Sequence, residues 1–113
     1  MPDATVVVLT TLASEEEAVP FVRTLLDLRL IACGTILPPA RSFYRWEGKM
    51  ADEREVVVLL KTRRERLDGL KEAFDRLHPY DTPELLALPV HAGLPRYLGW
   101  IAAEATGENA GAS

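Results

Sequence analysis

With 113 residues, 48% of them hydrophobic, the chain is long enough to bury one core and too apolar to be disordered over most of its length. Its formal net charge of −4 excludes a nucleic-acid binder that works by phosphate neutralisation, because the basic residues alternate with acids, as in Arg63-Arg64-Glu65-Arg66, instead of forming one basic face. A single cysteine, Cys33, excludes an intramolecular disulfide framework, and no uncharged apolar run approaches the ~18 residues of a membrane span.

Met1-Pro2-Asp3 leads directly into a strand-like run, so no signal peptide is expected, and the setting is expected to be cytoplasmic. That run, Thr5 to Leu12, is β-branched and apolar on both faces, as in a central strand covered on both sides. Ser14 and Glu17 form a capping-box pattern ahead of a helix whose buried stripe includes Ala18, Phe21, Val22 and Leu25. Pro20 lies inside this pattern and predicts a kink or a helix that begins near Val19. Thr35 to Leu37 resume extended structure until Pro38-Pro39 bends the strand or leaves it at an edge.

Arg41 to Arg63 reads as a long hairpin. Ser42 to Trp46 alternate, Glu55 to Leu60 run apolar, and Gly48 permits the reversal between them. Such strands exceed the usual five or six residues, so part of the hairpin is expected to project as an oligomerisation arm, with Tyr44 and Trp46 as packing anchors and any ligand site where arms meet.

Thr62 and Glu65 suggest a second capping box before a helix with Leu67, Leu70, Phe74 and Leu77 on one stripe, ended by His78-Pro79. Glu84 to Val90 is a short edge strand. Pro95 opens a last helix with Tyr97, Leu98, Ile101, Ala102 and Ala105 on its contact face. Residues 1–105 are expected to form one domain and 106–113 a disordered tail. The order β-α-β-β-α-β plus a helix predicts an α+β, ferredoxin-like sandwich with a long hairpin between the second and third strands and a C-terminal helix. Helices on one side leave the other sheet face apolar and open, to be buried between subunits.

Ala32-Cys33, Ser42-Phe43-Tyr44-Arg45-Trp46-Glu47-Gly48-Lys49, Glu55, Lys61-Thr62, His78-Pro79-Tyr80, Pro83-Glu84 and Tyr97-Leu98-Gly99-Trp100-Ile101 together resemble the CutA divalent-cation tolerance proteins, over about Val6 to Ile101. The resemblance implies a ferredoxin-like subunit, a cytoplasmic homotrimer, and a part in tolerance to copper and other divalent cations, with no settled reaction. The chain departs from the family pattern at Gly34-Thr35 and at Asp81, where glutamate is usual.

Among side chains able to carry chemistry, Cys33 is a soft-metal candidate and His78 an imidazole candidate; each has a structural alternative, as a small buried hydrophobe and as a helix-end hydrogen bonder. No Cys-x-x-Cys or His-x-x-x-His spacing supplies a full ligand set, so a transition-metal site would be weak or shared between subunits. Lys61, Trp46, Tyr80, Asp81 and Glu84 are expected to converge on an inter-subunit cleft, as a site or as an interfacial polar network. The reading that follows is a homotrimer that binds copper or another divalent cation without catalysis, with no organic cofactor, nucleic acid or membrane. A trimeric sensor of small anions at Lys61 and a purely structural trimer are the alternatives. No nucleophile-base pair or glycine-rich phosphate loop supports an enzyme.

Overall fold

A computed structural model of the protein describes residues 4–107. It runs β1 (Thr5–Leu12), α1 (Glu15–Asp27), β2 (Cys33–Ile36), β3 (Ala40–Trp46), β4 (Lys49–Arg63), a 3-10 turn (Arg64–Arg66), α2 (Leu67–Leu77), β5 (Leu86–Pro89) and α3 (Pro95–Glu104). The sheet order is β2-β4-β1-β5 with every described pairing antiparallel, and β3 continues along β4 beyond β2. With β2 and β3 counted as one strand bent at Pro38-Pro39, this is the ferredoxin-like arrangement. Leu37 still donates to the Val57 carbonyl at 2.9 Å, so the prolines bend the strand without detaching it.

Period-two alternation sorts the sheet into two faces. Val6, Val8, Leu12, Val56, Val58 and Leu60 point to α1 and α2 and bury Phe21, Val22, Leu25, Leu70 and Phe74 between the layers. Thr5, Val7, Leu9, Val57, Leu59, Lys61 and Arg63 point the other way, where α3 covers one end through Ile101 and Ala105 packed with Ala32. The rest of that face stays half-open, with Leu86 56% and Leu88 47% exposed on the edge strand β5.

The β3–β4 hairpin leaves the core as expected. Its reversal is the two-residue turn Glu47-Gly48, with φ of 51° and 80°, and Trp46 pairs directly with Lys49. Arm and body together measure 44 × 30 × 23 Å.

Three local expectations change. Helix α1 begins at Glu15 and runs through Pro20, because Ser14 caps it by accepting from the Glu17 amide at 3.3 Å and Pro20 sits on the exposed side, where water can take the carbonyl its ring leaves free. Thr62 caps nothing: it stays in β4, buried, and donates to the Leu30 carbonyl at 2.8 Å, while α2 starts at Leu67 after the 3-10 turn. The last strand is shorter than Glu84 to Val90, spanning Leu86–Pro89. Of the tail expected over 106–113, residues 108–113 lie outside the described range; Gly107 sits against the Arg66 guanidinium. Among the described residues no helix is long and apolar enough to cross a membrane.

Candidate functional site

A groove of about 510 Å3 lies between the arm and the turn after α2, lined by residues that include Tyr44, Trp46, Glu53, Glu55, Tyr80, Asp81 and Glu84. Its first wall follows from strand register. The turn at Glu47-Gly48 pairs Tyr44 with Ala51, Ser42 with Glu53 and Ala40 with Glu55, so Tyr44, Trp46, Glu53 and Glu55 share one face of the ribbon. The second wall is the turn His78-Pro79-Tyr80-Asp81, placed where Pro79 ends α2.

His78 holds that turn. It is buried, and its Nδ1 accepts the Tyr80 amide hydrogen at 3.1 Å, which puts the ring proton on Nε2, 3.0 Å from the Thr11 carbonyl oxygen and 3.2 Å from Thr10 Oγ1. Phe21 and Phe74 pack on the imidazole with centroids at 5.1 and 5.5 Å. Burial lowers the His78 pKa below its ordinary value, against a smaller opposing effect of the Thr11 carbonyl, so the neutral ring is favoured. Tyr80 then reaches over the groove floor and donates its hydroxyl hydrogen to Glu55 Oε2 at 2.7 Å. Burial, followed by that hydrogen bond, pushes the Tyr80 phenol well above its ordinary range. The Tyr44 phenol is also raised, first by desolvation and then by Glu53 and Glu55.

The groove therefore brings together Trp46, Tyr80, Asp81 and Glu84 with the anchor Tyr44, but not Lys61. The expected cleft is one between subunits; within one copy Lys61 stands apart from the groove, six positions along β4 from Glu55, about 20 Å at strand rise. Its ammonium instead donates to the Tyr97 hydroxyl at 3.0 Å and lies 5.3 Å from the centre of that ring, in a patch where Tyr97 stacks on Trp100. The Lys61 pKa is raised, chiefly by the Tyr97 hydrogen bond.

Cys33 and His78 are likewise separated. Cys33 pairs with Lys61 on the face turned from α1 and α2, whereas His78 packs against those helices under Thr10. Both His78 nitrogens are engaged, so it offers no lone pair to a metal without breaking the turn. Cys33 is a half-buried free thiol on β2. Among the described residues no three of His, Cys, Asp and Glu are grouped closely enough to enclose a metal ion, so a resident metal does not fit the described part of a single copy. Glu53 and Glu55 are among the groove residues that the sequence reading did not assign to it. Their signal was the hairpin register, which places them beside Tyr44 and Trp46 once the turn is set at Glu47-Gly48.

The profile of the family described as CutA1 divalent ion tolerance protein matches residues 6–104. The chain is 43% identical over 95 residues to the divalent-cation tolerance protein CutA of Thermus thermophilus, covering 84% of this chain and 92% of that protein. Its fold is similar to CutA1 from Oryza sativa, with a TM-score of 0.87 and 35% identity over 93% of this chain and 95% of that one. It is also similar to a protein from Archaeoglobus fulgidus described as the periplasmic divalent cation tolerance protein CutA, with a TM-score of 0.86 and 33% identity over 90% of this chain and 99% of that one.

Proposed function

Because the chain belongs to the CutA1 divalent ion tolerance protein family, we propose that it works in the cytoplasm as a homotrimer that engages copper or a related divalent cation and catalyses no reaction. The observation that carries the assembly is the half-open sheet face. Leu86 and Leu88 are exposed on β5 beside Leu9 and Val7, and the aromatic arm extends past the core, so a lone copy leaves a broad apolar surface in water. Copies that pair through this face and wrap their arms remove that surface, and the small edge strands β2 and β5 supply free edges for the pairing.

The donor set of one copy sets the metal chemistry. Cys33 is the soft ligand, and the remaining ligands come from other copies or from solvent, which makes the site dependent on assembly. The alternative of an anion sensor at Lys61 loses support from the geometry, since that ammonium is occupied by Tyr97 and the groove is walled by carboxylates. A structural trimer without ligand remains the competing outcome.

Sedimentation and copper titration test the reading together. The protein should sediment as a trimer at micromolar concentration and Leu88→Glu should release smaller species; a monomeric parent protein overturns the assembly. Cys33→Ser should weaken Cu binding at least tenfold, about 1.4 kcal/mol, and an unchanged titration removes Cys33 from the site.

A further inference from the structure

The stretch between α2 and β5 is held at Tyr80. Outside the helices and strands, no backbone–backbone hydrogen bond among the described residues involves 79–85. Tyr80 makes both of the side-chain hydrogen bonds described there: its amide donates to His78 Nδ1 at 3.1 Å and its hydroxyl to Glu55 Oε2 at 2.7 Å. Its ring also lies against the imidazole, with centroids 5.0 Å apart. A segment with so few ties opens at a lower free-energy cost than the sheet beside it.

His78 Nδ1 accepts the Tyr80 amide hydrogen only while it carries no proton of its own. The ring cannot turn to offer its other nitrogen. Nε2–H is committed to the Thr11 carbonyl with Thr10 Oγ1 beside it, and Phe21 and Phe74 enclose the imidazole. A proton added at Nδ1 therefore sets two N–H donors face to face and leaves a cation in a buried place.

The charged or titratable groups that face the ring are Glu17 from α1, Glu55 from β4 and Tyr80 from the turn itself. β1 presents Thr10 and Thr11 and α2 presents Phe74, none of them charged. Burial lowers the His78 pKa by more than the Thr11 carbonyl, Glu17 and Glu55 together raise it, so the closed turn selects the neutral ring. Opening gives the imidazolium water instead. It also moves the backbone from which the Tyr80 hydroxyl reaches Glu55, which pairs with Ala40 where the arm begins.

We propose that this turn is a proton-operated latch on the arm, shut while His78 is neutral and opened by protonation at Nδ1, which parts Tyr80 from Glu55 and loosens the base of the β3–β4 hairpin. Contacts made by the arm thereby become sensitive to mild acid. The latch needs neither Cys33 nor a particular number of copies, so it stands or falls apart from copper binding and assembly.

Residue-resolved amide exchange of the full chain, corrected for intrinsic rates, tests the latch between pH 7 and pH 5. Tyr80 and β3 should exchange faster than β1 at every pH, and their protection should fall by about fivefold or more as the pH drops through the window below 6.5. His78→Asn, whose Oδ1 can accept the Tyr80 amide hydrogen without titrating, should abolish that fall at both places. Tyr80→Phe should keep it at residue 80 and lose it in β3, because the link to Glu55 is gone; a histidine that only packs would not separate the two. Should His78→Asn fail to fold, the Tyr80→Phe comparison decides alone. Protection at Tyr80 that is indifferent to pH, exchange of Tyr80 and β3 at the rate of β1, or a pH response in β3 that survives Tyr80→Phe overturns the proposal.

Discussion

Tyr80 donates its hydroxyl hydrogen to Glu55 across 2.7 Å, joining the turn after α2 to the point on β4 where the arm leaves the sheet. This bond ties the position of a loop to that of a strand far away in sequence, and one side of the groove depends on it.

Tyr80→Phe removes a hydrogen-bond donor from a buried carboxylate and should destabilise the protein by about 1–3 kcal/mol in urea denaturation. The Tyr80 phenol is raised above its ordinary 10.0, so its contribution is complete below that pH and is lost as pH rises beyond it. The parent protein should therefore lose more stability than Tyr80→Phe on going above pH 10. A variant within 0.5 kcal/mol of the parent at pH 7 contradicts the account.

His78 should make stability fall on the acid side. Its pKa is lowered in the folded state, so its stabilisation is full above 6.5 and lost as pH falls through the folded value. Protonation also places a hydrogen on Nδ1, facing the Tyr80 amide that it now accepts from. Melting temperature should drop between pH 7 and pH 5, with a shallower drop in His78→Gln. Parallel curves for the two proteins assign the effect to other groups.

Gly34 lies where α1 packs against the sheet. A Cβ there would stand 2.7 Å from Val22 Cγ1 and 3.1 Å from Leu60 Cδ2. Gly34→Ala should cost about 1–3 kcal/mol by overpacking, and the double variant Gly34→Ala/Val22→Ala should recover part of it relative to Val22→Ala alone. Full tolerance of the single substitution means the helix can shift outward.

The arm turn can be tuned in both directions. Gly48→Ala forces a side chain into φ of 80° and should destabilise by about 1 kcal/mol, whereas Glu47→Asn places a residue that tolerates φ of 51° and should stabilise by a few tenths. Thermal melts of the two variants should move in opposite directions; movement in the same direction argues against this turn.

Much of the fold was legible because its signals are local. The β-branched run Thr5 to Leu12, the Ser14 cap, Gly48 at the reversal and Pro79 and Pro95 at helix boundaries act through neighbours a few residues away, and each marks a boundary found in the fold. The errors arose where distant partners overrode local preference. Thr62 fits a helix cap in sequence, but its hydroxyl finds the Leu30 carbonyl once β4 is laid beside the chain leaving α1. Pro20, by contrast, did not delay the start of its helix, because the neighbouring Ser14 cap and an exposed position let α1 begin at Glu15 and run through it.

The sequence by itself determined the order of elements, the projecting arm and the family, since periodicity, turn residues and short motifs are properties of the chain alone. Only the tertiary structure decided which side chains meet. It put Lys61 with Tyr97, locked both His78 nitrogens into a turn, and left Glu55 buried under Tyr80 at the edge of a groove. The physical reason is that a site is made by strand register and layer packing, where residues 25 apart, such as Glu55 and Tyr80, come within hydrogen-bond reach while six positions along one strand keep Glu55 and Lys61 apart.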